Sequence, residues 1–235
     1  MSRIQTLFSS FMFLAVFFPA QGSAAPASES RQATGVSRIE IRVPIDLSVR
    51  QGDAEGIVMT AEPDVLKRIR TSVESGTLTI DETEEARTHF WQSRHPVKGI
   101  VTVKTLNALQ LLGTGSVDFG PFKTGRLELA IAGAGDLQLT ALTADELAIT
   151  ISGAGHVAAS GTVATVDVHV SGVGDVSLEG VAATVAHVAI SGSGNVKVAA
   201  RDRLDASISG FGEIKYRGSP NVTKSISGLG TIASL

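Results

Sequence analysis

In the second half of the chain the aliphatic residues fall into columns. Take Gly113, Gly133, Gly153, Gly172, Gly192, Gly210 and Gly228 as position zero of a repeating unit. Position −2 is then Leu111, Ile131, Ile151, Val170, Ile190, Ile208 and Ile226, and position +4 is Val117, Leu137, Val157, Val176, Val196, Ile214 and Ile232. Upstream positions such as Leu127 and Leu129, Leu147 and Ile149, or Val166 and Val168 alternate with polar or small neighbours. A period of two marks a strand with one buried face. Gly115, Gly135, Gly155, Gly174, Gly194, Gly212 and Gly230 complete a Gly-x-Gly in each unit, and the units follow at steps of 18 to 20 residues. Each unit therefore predicts a strand, a Gly-x-Gly bend, a second strand and a corner. So short a unit cannot bury its own apolar face, but stacked units can. The fold class that follows is all-β, a parallel β-solenoid of about seven 18–20-residue coils over residues 106–235. At about 4.8 Å per coil it is roughly 34 Å long.

Residues 36–105 show shorter alternations: Ile39, Ile41 and Val43, then Ile45, Leu47 and Val49, then Ile57 to Thr60. Pro63 opens one or two helical turns. Val73 to Ile80 reads as two strand pieces joined at Ser75-Gly76. These elements predict a short antiparallel β region that caps the N-terminal end of the solenoid. The charged stretch 81–97, with the only tryptophan, Trp91, reads as an exposed loop.

The N-terminus has a different pattern. Arg3 precedes the apolar run Leu7–Phe18, and Pro19, Gly22 and the small residues Ser23, Ala24 and Ala25 follow. This is the arrangement of a secretory signal peptide, 1–24, cleaved after Ala24 or Ala25. The run falls short of the roughly 20 apolar residues of a membrane span. Residues 25–35 are small and polar and predict a disordered lead-in, leaving 36–235 as a single domain. No transmembrane span is expected after cleavage, and the protein is expected in the periplasm, at the cell surface or secreted. Cysteine is absent, which excludes thiol chemistry and disulfides, and the net charge of −3 offers no basic patch for nucleic acid.

The strings Ile151-Ser-Gly-Ala-Gly-His-Val157, Val170-Ser-Gly-Val-Gly-Asp-Val176 and Ile190-Ser-Gly-Ser-Gly-Asn-Val196, with the ending Tyr216-Arg217-Gly218-Ser219-Pro220, resemble the auto-transporter adhesin head GIN domain family over residues 36–232. The resemblance implies a β-helix-like fold and an exported, cell-envelope or surface protein. It implies no catalytic residue.

Candidate chemistry is sparse. A dinucleotide fingerprint needs a third glycine three positions after the second, then a helix; Asp118, Gln138, Ala158, Ser177, Lys197, Lys215 and Ala233 stand there, and strands follow. A calcium β-roll has a nine-residue period with carboxylates in each turn. Here the residue after the second glycine is Ser116, Asp136, His156, Asp175, Asn195, Glu213 or Thr231. That polar column is either a solvated turn row or a ridge that contacts sugar or protein. Serines 152, 171, 191, 209 and 227 form another row, able to hydrogen-bond from coil to coil. Stacking also gathers Asp167, His169, His187 and Asp205 into one outward patch. It is either a zinc-type donor set or an exposed charge ladder. His89, Trp91 and His95 are either a sugar-stacking loop or, through Trp91, a cover for the end of the core. No catalytic residue and no cofactor are assigned. The expected function is a non-enzymatic structural or binding module, adhesin-like, with an envelope protein or a glycan as partner; the alternative is a carbohydrate-active enzyme using the Asp/His patch. After Gly230 no helix or polar cap is evident, so self-association through an open C-terminal coil is expected.

Overall fold

The computed structural model describes residues 25–84 and 97–235. The proposed signal peptide, and His89, Trp91 and His95, lie outside the described residues.

The coils begin at β8 (Ala108–Leu111), β9 (Thr114–Phe119) and β10 (Phe122–Ile131) and continue through β11 (Ala134–Ile151), β12 (Ala154–Val170), β13 (Val173–Ile190) and β14 (Ser193–Ile208). They end with β15 (Phe211–Arg217), β16 (Asn221–Ile226) and β17 (Leu229–Ser234). Every coil-to-coil pairing is parallel, and the glycine columns stay in register: Gly115, Gly135, Gly155, Gly174, Gly194, Gly212 and Gly230 pair in turn. The expected solenoid is present, with an antiparallel cap at its N-terminal end.

Each coil has one more corner than the sequence predicts. In β11 the buried positions are Leu137 and Leu139, then Leu142 and Ala144, then Leu147, Ile149 and Ile151. The alternation slips at 140–141 and again at 145–146, so the inward side is kept through two changes of direction. A coil thus has three faces: one before the bend (147–151 in this coil), one after it (134–139), and a short third face (142–144). The core between them is aliphatic throughout, from Leu127 and Leu129 to Ile208 and Ile214.

The glycine columns serve coil-to-coil approach. A Cβ at Gly133, Gly153, Gly172, Gly192, Gly210 or Gly228 would lie inside the van der Waals radius of the carbonyl oxygen of the equivalent glycine one coil earlier. Of all the bend glycines, only Gly115 and Gly212 have a left-handed φ. The space left by the missing side chains lets Ile131 O accept from Ser152 N at 2.9 Å and Gly153 N at 3.0 Å, a fork repeated at Val170 O by Ser191 N and Gly192 N. The serine row bonds differently from the expectation. Ser152 Oγ and Ser171 Oγ donate, at 3.5 and 3.4 Å, to the carbonyls of Ile131 and Ile151 in the preceding coil and not to one another.

The region 36–105 is only partly antiparallel. β2 (Arg38–Ile41) pairs in parallel with β8 and with β6 (Thr77–Glu82), and β3 (Ile45–Gln51) pairs in parallel with β9 and with β7 (Lys98–Val103). Ile41 is in register with Leu111 and Leu47 with Val117. These strands are a coil of the solenoid whose bend, Arg42-Val43-Pro44, lacks glycine. The antiparallel cap is β4 (Gly56–Ala61) against β7, and β5 (Ile69–Glu74) against β6 through the Ser75-Gly76 turn, both of whose residues have positive φ. Between β4 and β5, the single helical turn α1 (Pro63–Leu66) adds Val65 and Leu66 to the core.

The disordered lead-in is also corrected. β1 (Ala27–Arg31) pairs antiparallel with β4, Ala27 opposite Ala61 and Arg31 opposite Ile57. Polar side chains do not prevent pairing at a sheet edge, because the ladder is made by the backbone. Arg31 fixes the strand by donating from Nη1 to Ile69 O at 2.8 Å and from Nη2 to Leu66 O at 3.0 Å.

The C-terminal coil is less open than its sequence suggests. The inward column Leu129, Ile149, Val168, Val188, Ala206 ends in Lys224. The ammonium of Lys224 donates to Ile232 O at 2.8 Å and sits 5.3 Å from the centre of the Tyr216 ring. Its alkyl stem and charge lie across the end of the core, a polar cap that the motif pattern does not reveal.

Candidate functional site

The outer side of the face before the bend carries two in-register columns. One runs Glu128, Ala148, Asp167, His187, Asp205, Thr223; its neighbour runs Ala130, Thr150, His169, Ala189, Ser207, Ser225. Because alternate residues on a strand point the same way, the aliphatic inward set obliges this polar set to face solvent. Small side chains in both columns leave a shallow groove of about 440 Å³, lined among others by Ala148, Asp167, His169, His187, Ala189 and Asp205. The structure therefore brings all four expected patch residues to one groove, with Asp167, His187 and Asp205 on successive coils.

Their bonding decides the chemistry. Asp205 Oδ2 accepts from Arg203 Nη2 at 2.6 Å and Nε at 2.8 Å, and lies 2.9 Å from His187 Nδ1. The Arg203 guanidinium, more than the Thr223 hydroxyl, the Arg203 charge or His187, holds the Asp205 carboxyl below the usual aspartate range. A carboxylate held ionised is the reverse of what a general acid needs, and its oxygen is already occupied. Among the described residues no group of three or more His, Cys, Asp and Glu side chains could hold a metal ion. Arg203, Asp205 and His187 form a network of polar contacts that crosses from one coil to the next. The same face carries another, where Arg126 bonds Glu128 at 2.7 Å and Glu146 at 2.9 Å. Substituting Arg203 with alanine is expected to raise the Asp205 pKa towards the ordinary value of about 4. Carboxyl-detected NMR titration of the two proteins checks it; an unchanged Asp205 would show that Arg203 does not hold the charge. By linkage, the lowered pKa gives stability that is present above the ordinary range and is lost as the pH falls through the folded value.

The polar column after the second glycine is bonded within itself. Ser116 Oγ donates to Asp46 Oδ1 at 2.8 Å, and Asn195 donates to Asp175 Oδ1 from Nδ2 at 2.8 Å and from its backbone N–H at 3.0 Å. These contacts stitch successive coils. Asp136 and His156 in the same column are exposed.

Sequence reasoning misses a second depression, also about 440 Å³, on the third face, where Arg201 and Arg217 stand. The available signal was the repeat length. The last two glycine steps, Gly192 to Gly210 and Gly210 to Gly228, are 18 residues against 20 for Gly172 to Gly192.

Residues 36–220 match the family model described as "Putative auto-transporter adhesin, head GIN domain". No curated protein matches the chain. Three crystal structures share its architecture. A "putative adhesin" from Bacteroides fragilis is 23% identical, with a TM-score of 0.83 over 92% of this chain and 99% of that one. A "Putative lipid binding protein" from Parabacteroides distasonis is 26% identical, with a TM-score of 0.71 over 91% of this chain and 98% of that one. A "putative adhesin" from the same species is 20% identical, with a TM-score of 0.68 over 91% and 98%.

Proposed function

Because the chain belongs to the head GIN domain family of auto-transporter adhesins, we propose that it is an exported, non-enzymatic structural and binding module that acts at the cell envelope through the outer faces of its solenoid. The observation that carries this reading is the state of Asp205. In the groove that gathers acids and histidines, the Asp205 carboxylate is engaged by the Arg203 guanidinium and lies within hydrogen-bond distance of His187, so this carboxyl is held away from the protonated state a general acid needs. The core is filled by aliphatic side chains together with Phe119 and Phe122, which leaves recognition to the surface. A lipid, the ligand class for which the 26% identical Parabacteroides distasonis protein is named, would have to be met here at such a surface. Export is supported by the N-terminal sequence. No helix among the described residues is long and apolar enough to cross a membrane.

The test pairs a glycan array with a reducing-sugar assay on the ligands that bind. Saturable binding without new reducing ends is the expected result. Release of reducing ends that disappears in Asp205→Asn would establish the carbohydrate-active alternative instead.

A further inference from the structure

The third face shortens towards the C-terminus. Leu142, Gly161 and Val181 stack in register, as do Ala144, Val163 and Ala183. In the next coil Ala183 meets Ala200 across register shifts on both sides. After that the face has no strand: β15 pairs with β14 as far as Ala199 opposite Arg217, and β16 resumes only at Asn221. The residues missing from the two short coils leave a notch of about 440 Å³.

Its chemistry differs from that of the other grooves. Alanines form the floor, with Ala183 and Ala200 buried. Thr162, Thr184 and Ser219 bring hydroxyls, and Arg201 and Arg217 bring guanidinium groups. Arg201 is paired through Nε and Nη2 to Asp202 at 2.7 and 3.1 Å, which leaves its Nη1 open. The Arg217 side chain makes no hydrogen bond or ion pair among the described residues. With Asp202 counted, the rim keeps one uncompensated positive charge. The corner that presents Arg217 is rigid. Gly218 has φ +106°, and a Cβ there would run into Ala200 O. Pro220 follows and fixes its own φ. The corner fixes the backbone from which the Arg217 side chain projects over the notch.

We propose that this notch binds a sugar carboxylate, the acidic residue of a uronate-type polysaccharide. The alanine floor takes the C–H face of the pyranose ring, the hydroxyls meet its hydroxyl groups, and Arg217, helped by the open edge of Arg201, takes the carboxylate. The site deepens the binding reading given above and rests on it only for the class of ligand.

The test is calorimetric titration of the whole protein with oligogalacturonate, with the neutral oligogalactoside of the same length, with inorganic phosphate, and with vesicles containing phosphatidylglycerol. The expected result is saturable binding of the acidic oligomer alone, weakened about tenfold by Arg217→Ala, further by Arg217→Glu, and unchanged by His187→Ala on the other face. Arg217 is exposed, and circular dichroism of each variant confirms its fold. Equal binding by the neutral oligomer, or wild-type affinity in both Arg217 variants, overturns the site and leaves the binding module standing. Phosphate as strong as the oligomer reduces the notch to a simple anion site, and vesicle binding that requires Arg217 makes the ligand a lipid headgroup; either result overturns the sugar. If glycan array and titrations are both silent, the binding module itself fails.

Discussion

Gly153→Ala is expected to cost about 4 kcal/mol or more, a large share of the roughly 5–15 kcal/mol that holds a typical domain folded. The added methyl group would enter the space of the Gly133 and Ala132 carbonyl oxygens. Backbone cannot swing aside as a side chain can, so the two coils must separate. Separation stretches the fork by which Ser152 N and Gly153 N share Ile131 O, and each such bond is worth about 1 kcal/mol. Overpacking in a deformable core costs about 1–3 kcal/mol; the rigid obstacle and the lost bonds place this change above that range. Gly125→Ala is the control. Its Cβ would meet only Asp145 Oδ2, at 3.7 Å, and the change is expected to stay within about 0.5 kcal/mol. Urea unfolding followed by circular dichroism compares the two. Similar midpoints would show that coil spacing is not set by the glycine columns.

Lys224→Ile is expected to raise self-association by at least about tenfold, roughly the 1.4 kcal/mol that one buried aliphatic side chain supplies with ease. In the wild type, Lys224 stands where every earlier coil has an aliphatic residue, and its charge lies against the Tyr216 ring and Ile232 O. Inward charges on terminal strands are a known means of blocking edge-to-edge pairing. The same end exposes Phe211, Ile226 and Leu229. With isoleucine at 224, that apolar surface becomes continuous with the core. Light scattering at tens of micromolar measures the outcome. A variant no more associated than the wild type would show that Lys224 does not guard this end, and wild-type dimers would place the contact on Phe211 and Leu229.

What the chain disclosed in advance, and what it hid, follow from the same physics. The stacked coils were legible because identical stacking neighbours impose identical demands: aliphatic at −2 and +4, glycine between. The coil formed by β2 and β3 escaped notice because its bend carries Val43 where the later coils carry glycine. Its remaining trace was the six-residue spacing of Ile41 and Leu47, the same as that of Leu111 and Val117. β1 was invisible to hydrophobic pattern because an edge strand held by backbone bonds and Arg31 needs no apolar face. The third face was hidden by its brevity, two inward residues such as Leu142 and Ala144, too few to show a period. At the site, register alone placed Asp167, His187 and Asp205 together. The role of Arg203 was not readable, because it depends on a side-chain rotamer that turns the guanidinium onto Asp205.

The order of the coils has a mechanical consequence. β1 belongs to one end of the stack and β17 to the other, so tension applied between these two strands pulls along the stacking axis. Each coil is joined to the next by the continuous chain, by parallel backbone bonds, by side-chain bonds such as Asn195 to Asp175 and by the shared core. Load therefore falls first on a terminal coil, which peels while the rest stay folded. One released coil of about 18 residues lengthens the chain by roughly 60 Å at full extension. A stack pulled this way yields in steps, releasing one coil while the faces of the others remain.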